Sequence, residues 1–232
     1  MADKILSNAS NLQILFEDNH IIIVNKRAGD IVQGDKTGDQ PLSEVVKDYI
    51  KEKYNKPGNV YLGVVHRLDR PTTGLVIFAK TSKALSRLNT MFAKKDVQKT
   101  YWALVNNKPP KEKDTLVNWL KKNPKNNKST AYSKEVTDSK KAILHYELLK
   151  SLERYYLLEI NLETGRHHQI RSQLSNIGCI IKGDLKYGAD RSNKDASIHL
   201  HARRITFIHP VSKNELKITA PLPDDALWQA CL

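Results

Sequence analysis

The amino-acid sequence predicts an α+β protein, and two observations lead there. Short apolar runs, rich in β-branched residues and bounded by Gly, Pro or charge, read as strands. Between them lie segments whose apolar residues recur at helical spacing, and this mixture of short strands and helices fits the α+β class. A chain of 232 residues is long enough to bury a full core, as one domain or two fused lobes.

In chain order, residues 1–11 are polar and expected to form a frayed tail. Leu12–Phe16 and His20–Asn25 are expected strands around the turn cluster Glu17-Asp18-Asn19, with Ile21–Val24 buried on both faces. Residues 26–41 form loop, and Ser43 is expected to cap a helix carrying Val45, Val46, Tyr49 and Ile50, ended by Pro57-Gly58. Val60–Val65 and Leu75–Ala79 are expected buried strands on either side of His66-Arg67-Leu68-Asp69-Arg70-Pro71-Thr72-Thr73-Gly74. Thr81 or Ser82 caps a second helix with Leu85, Leu88, Met91 and Phe92 on one side, and Lys94 and Lys95 suit the dipole of its last turn. Gln98–Val105 is another strand. Residues 106–141 hold lysines, asparagines, three prolines and Trp119, and predict short strands on long mobile loops. Ile143–Leu149 and Tyr155–Leu162 form a hairpin. A third helix follows Thr164-Gly165, with Ile170, Leu174 and Ile177 on one face and Gly178 at its C-terminus.

Composition narrows the class. Hydrophobic content of 40% and charged content of 27% describe an ordinary globular chain. No run approaches the roughly 18 apolar residues of a membrane span, and Met1-Ala2-Asp3-Lys4 does not open a secretory signal. Cys179 and Cys231 sit in no metal-type spacing and form no disulfide framework, which suits a reducing cytoplasm. The net charge of +13 predicts attraction to polyanions. Residues 81–130 hold twelve Lys and Arg against three carboxylates, a one-sided field that marks a nucleic-acid face or, more plainly, a solubilising lysine surface.

Two segments carry chemistry. The first places one carboxylate, Asp69, between Arg67 and Arg70 in a connection shaped by Pro71 and Gly74. The second runs from Thr164 to Arg171 and contains Arg166, His167, His168 and Gln169. Neighbouring residues on a helix diverge by about 100°, so His167 and His168 are expected to chelate poorly and to hydrogen-bond RNA or loop backbone instead. His199 and His201, at i and i+2 on an expected strand, lack a third ligand, and no metal site is expected.

The central stretch resembles the H-R-L-D-x-x-T-S-G-L signature of RluA-type pseudouridine synthases. Three more blocks resemble that family in the same order. They are Val24–Gly29 with Val32-Gln33, then Lys99-Thr100-Tyr101, then Thr164–Arg171 continuing through Gly183-Asp184 to Tyr187-Gly188. His199-Leu200-His201-Ala202 and His209-Pro210 also fit, so the likeness covers roughly residues 12–222. The chain departs from the family at Thr73, where Ser is usual, and at Gln173, where His is frequent. The dozen residues before the first strand leave no room for an S4-type RNA-binding domain.

The resemblance implies one catalytic domain over residues 12–232, built on a bent, mainly antiparallel sheet in two lobes with Asp69 on the floor of a cleft. It implies isomerisation of uridine within rRNA or tRNA by a cytoplasmic enzyme, taken here as a monomer, without cofactor or metal. Asp69, ionised at neutral pH as aspartates are, would form the covalent adduct. Arg171 would orient it, and Tyr101 would pack against the base and take the C5 proton. A phenol is a poor base unless its surroundings favour the phenolate. Arg67 would brace the stack that the flipped uridine leaves. Arg70, Lys80, Arg166, His167, His168 and Gln169 are further candidate RNA contacts. The rival readings are a non-catalytic RNA-binding protein using the same basic face and a glycoside hydrolase. The latter ordinarily needs two facing carboxylates, and Glu163 is the one acid near the motif blocks.

Overall fold

The structure, a computed structural model, describes residues 5–35 and 37–232. The chain lays down β1 (Ile14–Glu17), β2 (Ile21–Lys26), α1 (Leu42–Lys53), β3 (Gly63–Val64), β4 (Thr73–Ala79) and α2 (Ser82–Lys94). Then come β5 (Gln98–Val105), β6 (Lys113–Asn123), β7 (Lys128–Tyr132), β8 (Lys140–Ser151), β9 (Tyr156–Leu162), α3 (Gln169–Asn176) and a 3-10 turn at Leu185–Tyr187. β10 (Leu200–Ile208), β11 (Glu215–Thr219) and α4 (Ala226–Gln229) complete it. The α+β class is as expected. The chain divides into two compact units, one of residues up to Gln98 with Ala202–Leu222, the other of Lys99–His201 with Pro223–Leu232.

In the first unit the strands run in the order β1-β2-β4-β10, with β3 added to β4 and β11 to β10. β2 and β4 are antiparallel, with Ile22 opposite Phe78 and Lys26 opposite Gly74, and both are buried along their whole length. That is why they read as unbroken apolar runs and not as alternating ones. Ile21, Ile22, Ile23 and Val24 lose all exposure, each contributing about 1.5–3 kcal/mol of transfer free energy. α1 presents Leu42, Val45, Val46 and Ile50 to this core. Ser43 is not its cap: the helix starts one residue after Pro41, and the Ser43 N–H donates to Val32 O (3.2 Å) inside the fold. Thr81 does cap α2, its hydroxyl accepting from Ala84 N.

Two further expectations change here. Only Gly63 and Val64 of the run 60–65 are strand, since Tyr61 is exposed and the run merely brushes the end of β4. The tail, from residue 7, is tied down: Ser7 donates from its N–H and hydroxyl to the Asp30 carboxylate at 3.0 and 2.7 Å, and Arg27 Nη2 donates to Asn11 O. Residues 1–4 of that tail lie outside the described residues.

In the second unit the order is β5-β9-β8-β6-β7, all antiparallel. Residues 106–141 are far more regular than expected. β6 is an eleven-residue strand in which Leu116, Asn118 and Leu120 are buried while Thr115 and Val117 are exposed. Burial alternates along β6, but hydrophobicity does not, because Asn118 takes an inward position while Val117 and Trp119 take outward ones. α3 lies on the buried face, where Gln173, fully buried, donates from Nε2 to Leu116 O (3.0 Å) and Asn118 Oδ1 (2.8 Å). The departure at Gln173 is therefore a packing contact that fastens α3 to β6.

Gly74 shows why the turn before β4 ends in glycine. Its φ is +110°, and a Cβ there would collide with the backbone of Ala202 on β10. Gly74→Ala should cost about 2 kcal/mol or more in urea unfolding. Gly58→Ala, with nothing within 4 Å of the added carbon, should change stability by less than about 1 kcal/mol.

Candidate active site

The two motif segments fall in different units, the Asp69 turn in the first and the Arg166–Arg171 segment with Tyr101 in the second. Each is built by its own unit.

The Asp69 turn is held from both ends. Upstream, His66 Nε2 accepts from Ile77 N (3.1 Å) on β4, which assigns the proton of the neutral ring to Nδ1. The imidazole stacks on Phe92 of α2 with centroids 5.1 Å apart. Leu68 is buried, Arg67 is exposed, and Asp69 is half-buried between them and Arg70. Asp69 O accepts from Thr72 N (3.0 Å), closing a four-residue turn around Pro71.

Beneath that turn lies Lys26, the last residue of β2, with 1% exposure. Its ammonium donates to Arg27 O (2.9 Å), Arg70 O (3.0 Å) and Thr72 O (2.8 Å). Gly29 N donates to Arg70 O as well. Backbone carbonyls on both sides of the turn are thus tied to one buried cation. The Arg70 side chain points elsewhere: it bonds Asp39 (2.5 Å) and Thr37 (2.9 Å), and holds the Asp39 carboxyl below its usual range. Arg70, expected to touch RNA, instead staples the 35–39 loop to the turn.

Lys80 also differs from expectation. It is nearly buried and pairs with Glu17 at 2.7 Å, beneath the Tyr54 ring. Lys53 (2.7 Å), Tyr54 (3.0 Å) and Tyr49 (3.1 Å) donate to the same carboxylate. Burial alone would raise the Glu17 carboxyl, but the bonds from Lys53, Lys80 and Tyr54 outweigh it and hold the group at about 2. Lys80 is a structural cation joining β4 to β1.

In the second unit Tyr101 lies on β5 opposite Ile160, 8% exposed. Two residues earlier Lys99 reaches the motif turn: a Cβ on Gly165 would sit 3.8 Å from its Nζ, and burial draws its ammonium below the usual range. Arg171 is gripped by Asp184, Nε to Oδ2 and Nη2 to Oδ1, both 2.7 Å, with the pair 5% and 1% exposed. Its guanidinium also lies 5.1 Å from the centre of the Tyr187 ring. A bidentate pair of this kind leaves the side chain a single orientation.

His167 and His168 are not helical. His168 is the residue before α3, with φ +52°, and the two rings stack at 3.8 Å instead of diverging. His167 Nδ1 bonds Ser129 Oγ (2.8 Å), and His168 Nδ1 bonds Tyr187 OH (3.0 Å). That hydroxyl accepts from Ser129 N and donates to Ser129 O, so proton counting makes His168 Nδ1 the donor. Both histidines therefore clamp β7 to the start of α3. Gln169 is internal too: Oε1 accepts from Thr164 Oγ1 and Arg166 N, and Nε2 donates to Ile143 O. Arg166 stays exposed, its Nε donating to Lys141 O.

His199 and His201 sit inside the second unit. His199 accepts at Nδ1 from Asn193, bonds Asp225 through Nε2, and stacks on Trp228, which His201 also meets. Burial holds the His199 imidazole below its ordinary range although Asp225 opposes this. Among the described residues no group of three or more His, Cys, Asp or Glu could hold a metal ion. Burial pushes both free thiols up to about 11.

Lys26, His66, Asp184 and Tyr187 were not singled out by sequence reasoning, although all four lie inside the motif blocks. A lysine close behind the apolar run Ile21–Val24, and an aspartate after a glycine turn, were the available signals.

An α+β pair of units carrying one acidic turn and one arginine-bearing helix start defines the class, the pseudouridine synthase fold. The solved structure of Human RNA Pseudouridylate Synthase Domain Containing 4 matches with a TM-score of 0.77 over 93% of this chain and 91% of that one, at 24% identity. Sequence carries the likeness from fold to family. The RNA pseudouridylate synthase model matches residues 20–176. Ribosomal large subunit pseudouridine synthase D of Zymomonas mobilis is 32% identical over 224 residues, covering 92% of this chain and 70% of the relative. tRNA pseudouridine synthase C of Vibrio parahaemolyticus is 28% identical over 94% of this chain and 92% of its own length. The chain belongs to the RNA pseudouridylate synthase family, whose members isomerise uridine to pseudouridine.

The Glu17 cluster makes a pH prediction. Its folded value of about 2 lies below the ordinary 4.5, so the stabilisation is complete above about pH 4.5 and is lost as pH falls toward 2. Glu17→Gln should lower stability at pH 7 by about 1–3 kcal/mol, and urea titrations should show the gap to wild type closing between pH 4.5 and 2. An equal gap at both ends would assign the loss to something other than the charge.

Proposed function

We propose that this chain isomerises uridine in structured rRNA or tRNA with Asp69 as its attacking carboxylate, acting as a monomer. The observation that carries the role of Asp69 is its place in a turn whose flanking carbonyls are fixed by buried Lys26. Fixing those carbonyls holds the turn, and with it the start of the Asp69 side chain, in one place. Asp69 forms a covalent adduct and the N1–C1′ bond breaks. The freed uracil turns, C5 joins C1′, the bond to Asp69 breaks and returns the free carboxylate, the C5 proton passes to solvent and N1 takes up a proton. Atoms and electrons balance without an oxidant or reductant.

Tyr101 packs against the base and is the candidate acceptor of the C5 proton. Arg171, which Asp184 holds in one orientation, is a further candidate catalytic residue by the family resemblance. Exposed Arg67, two residues before Asp69, braces the opened stack, since a uridine in folded RNA must leave its stack first. Arg166 remains a candidate phosphate contact. Relatives named for ribosomal and for transfer RNA support both substrate classes.

The test uses bulk RNA labelled with tritium at uridine C5, taken from cells lacking the protein. Wild type should release tritium to water, Asp69→Asn should release none, and Tyr101→Phe should release at least ten-fold less. RNA binding by wild type with no release from either the ribosomal or the transfer fraction would favour a non-catalytic RNA-binding protein.

A further inference from the structure

Within the second unit the sheet has two unlike faces. One carries Leu116, Asn118 and Leu120 of β6 beneath α3, with Gln173 bonded to Asn118. The opposite face of β6, β7 and β8 presents the outward residues of the same strands. There Trp119 stands directly across from Tyr132 on β7 and Lys141 on β8, and Val117 across from Ile143. Tyr132 is 38% exposed and Val117 41%, while Trp119 is half-buried. Lys141 places its ammonium 5.8 Å from the Trp119 ring centre, and Lys121, next but one to Trp119, is 41% exposed.

Aromatic rings on an open sheet face are ordinarily a cost in solubility, and here lysines surround them. Lys121 and Lys141 flank Trp119 on this face, and the chain as a whole carries +13, so the face attracts polyanions and repels basic partners. Rings standing among cations match the chemistry of unpaired nucleotides, whose bases stack while their phosphates meet ammonium groups. A duplex, with its bases already stacked, would gain only the phosphate contacts.

We infer that the Trp119–Tyr132 face is a stacking platform for a single-stranded segment of the RNA substrate, separate from the sheet face that α3 covers. The occupant follows from charge complementarity with the surrounding lysines. The inference rests on the RNA-modifying reading and adds a recognition surface to it. Such a platform selects RNA by strandedness near the target and tolerates different bases, because every base offers a π-face.

The test measures binding of the full-length protein to a fluorescein-labelled twelve-nucleotide single-stranded RNA of mixed sequence and to the same sequence as a duplex, across salt concentrations. Trp119→Ala with Tyr132→Ala should weaken single-strand binding by roughly five-fold or more and leave duplex binding and the salt slope unchanged. Trp119→Phe should keep most of the affinity, which separates stacking from misfolding, and circular dichroism melts should match wild type. Lys121→Ala with Lys141→Ala should reduce the salt slope by about one to two. Unchanged single-strand binding in the double aromatic variant, an equal loss on duplex, or a self-association that the variant abolishes in sedimentation would each overturn the platform. Tritium release by the wild type separates the two ideas: a wild type that releases none while the aromatic effect on single-strand binding persists would defeat the catalytic reading alone.

Discussion

One buried ammonium organises the acidic turn. Lys26 ends a strand that is otherwise buried and, but for Asn25, apolar, and its side chain meets three carbonyls: its neighbour's and two from the turn that carries Asp69. A buried cation must be solvated by something, and backbone carbonyls at 2.8–3.0 Å do so here. The constraint works in both directions. The carbonyls stabilise the charge, and the charge fixes where the turn can go. Gly74, forced by the approach of Ala202, sets the far end, while His66 and Phe92 set the near one.

The second unit solves the same problem with different groups. Arg171 is oriented by a bidentate carboxylate and an aromatic ring, and the ring's hydroxyl is in turn fixed by Ser129 and His168. The paired histidines, which invite a metal or acid–base reading, serve this clamp. In both units one charged side chain is held by several partners around it.

The sequence made the α+β class, the central β2–β4 pair, α2 with its Thr81 cap and the four motif blocks legible. Those features depend on local pattern or on short contiguous motifs. It was blind where the outcome depends on a partner far along the chain. Lys80 was a candidate RNA contact, and its pairing with Glu17, 63 residues away, left no trace in the local pattern. Arg70 was claimed by Asp39, and Gln169 by Thr164 and Ile143. β6 was hidden for a different reason: polar Asn118 faces inward while Val117 and Trp119 face outward, so burial alternates where hydrophobicity does not. The tail looked free because one serine reaching one aspartate leaves no periodic trace.

Lys26→Met tests the central claim most directly, since it keeps the apolar stem and removes the cation. The variant should unfold about 2 kcal/mol more easily. With the folded fraction corrected for, it should bind RNA as tightly as wild type and release tritium from C5-labelled RNA at least ten-fold more slowly under single turnover. A folded variant releasing tritium at the wild-type rate would contradict the claim that this ammonium is what aims Asp69.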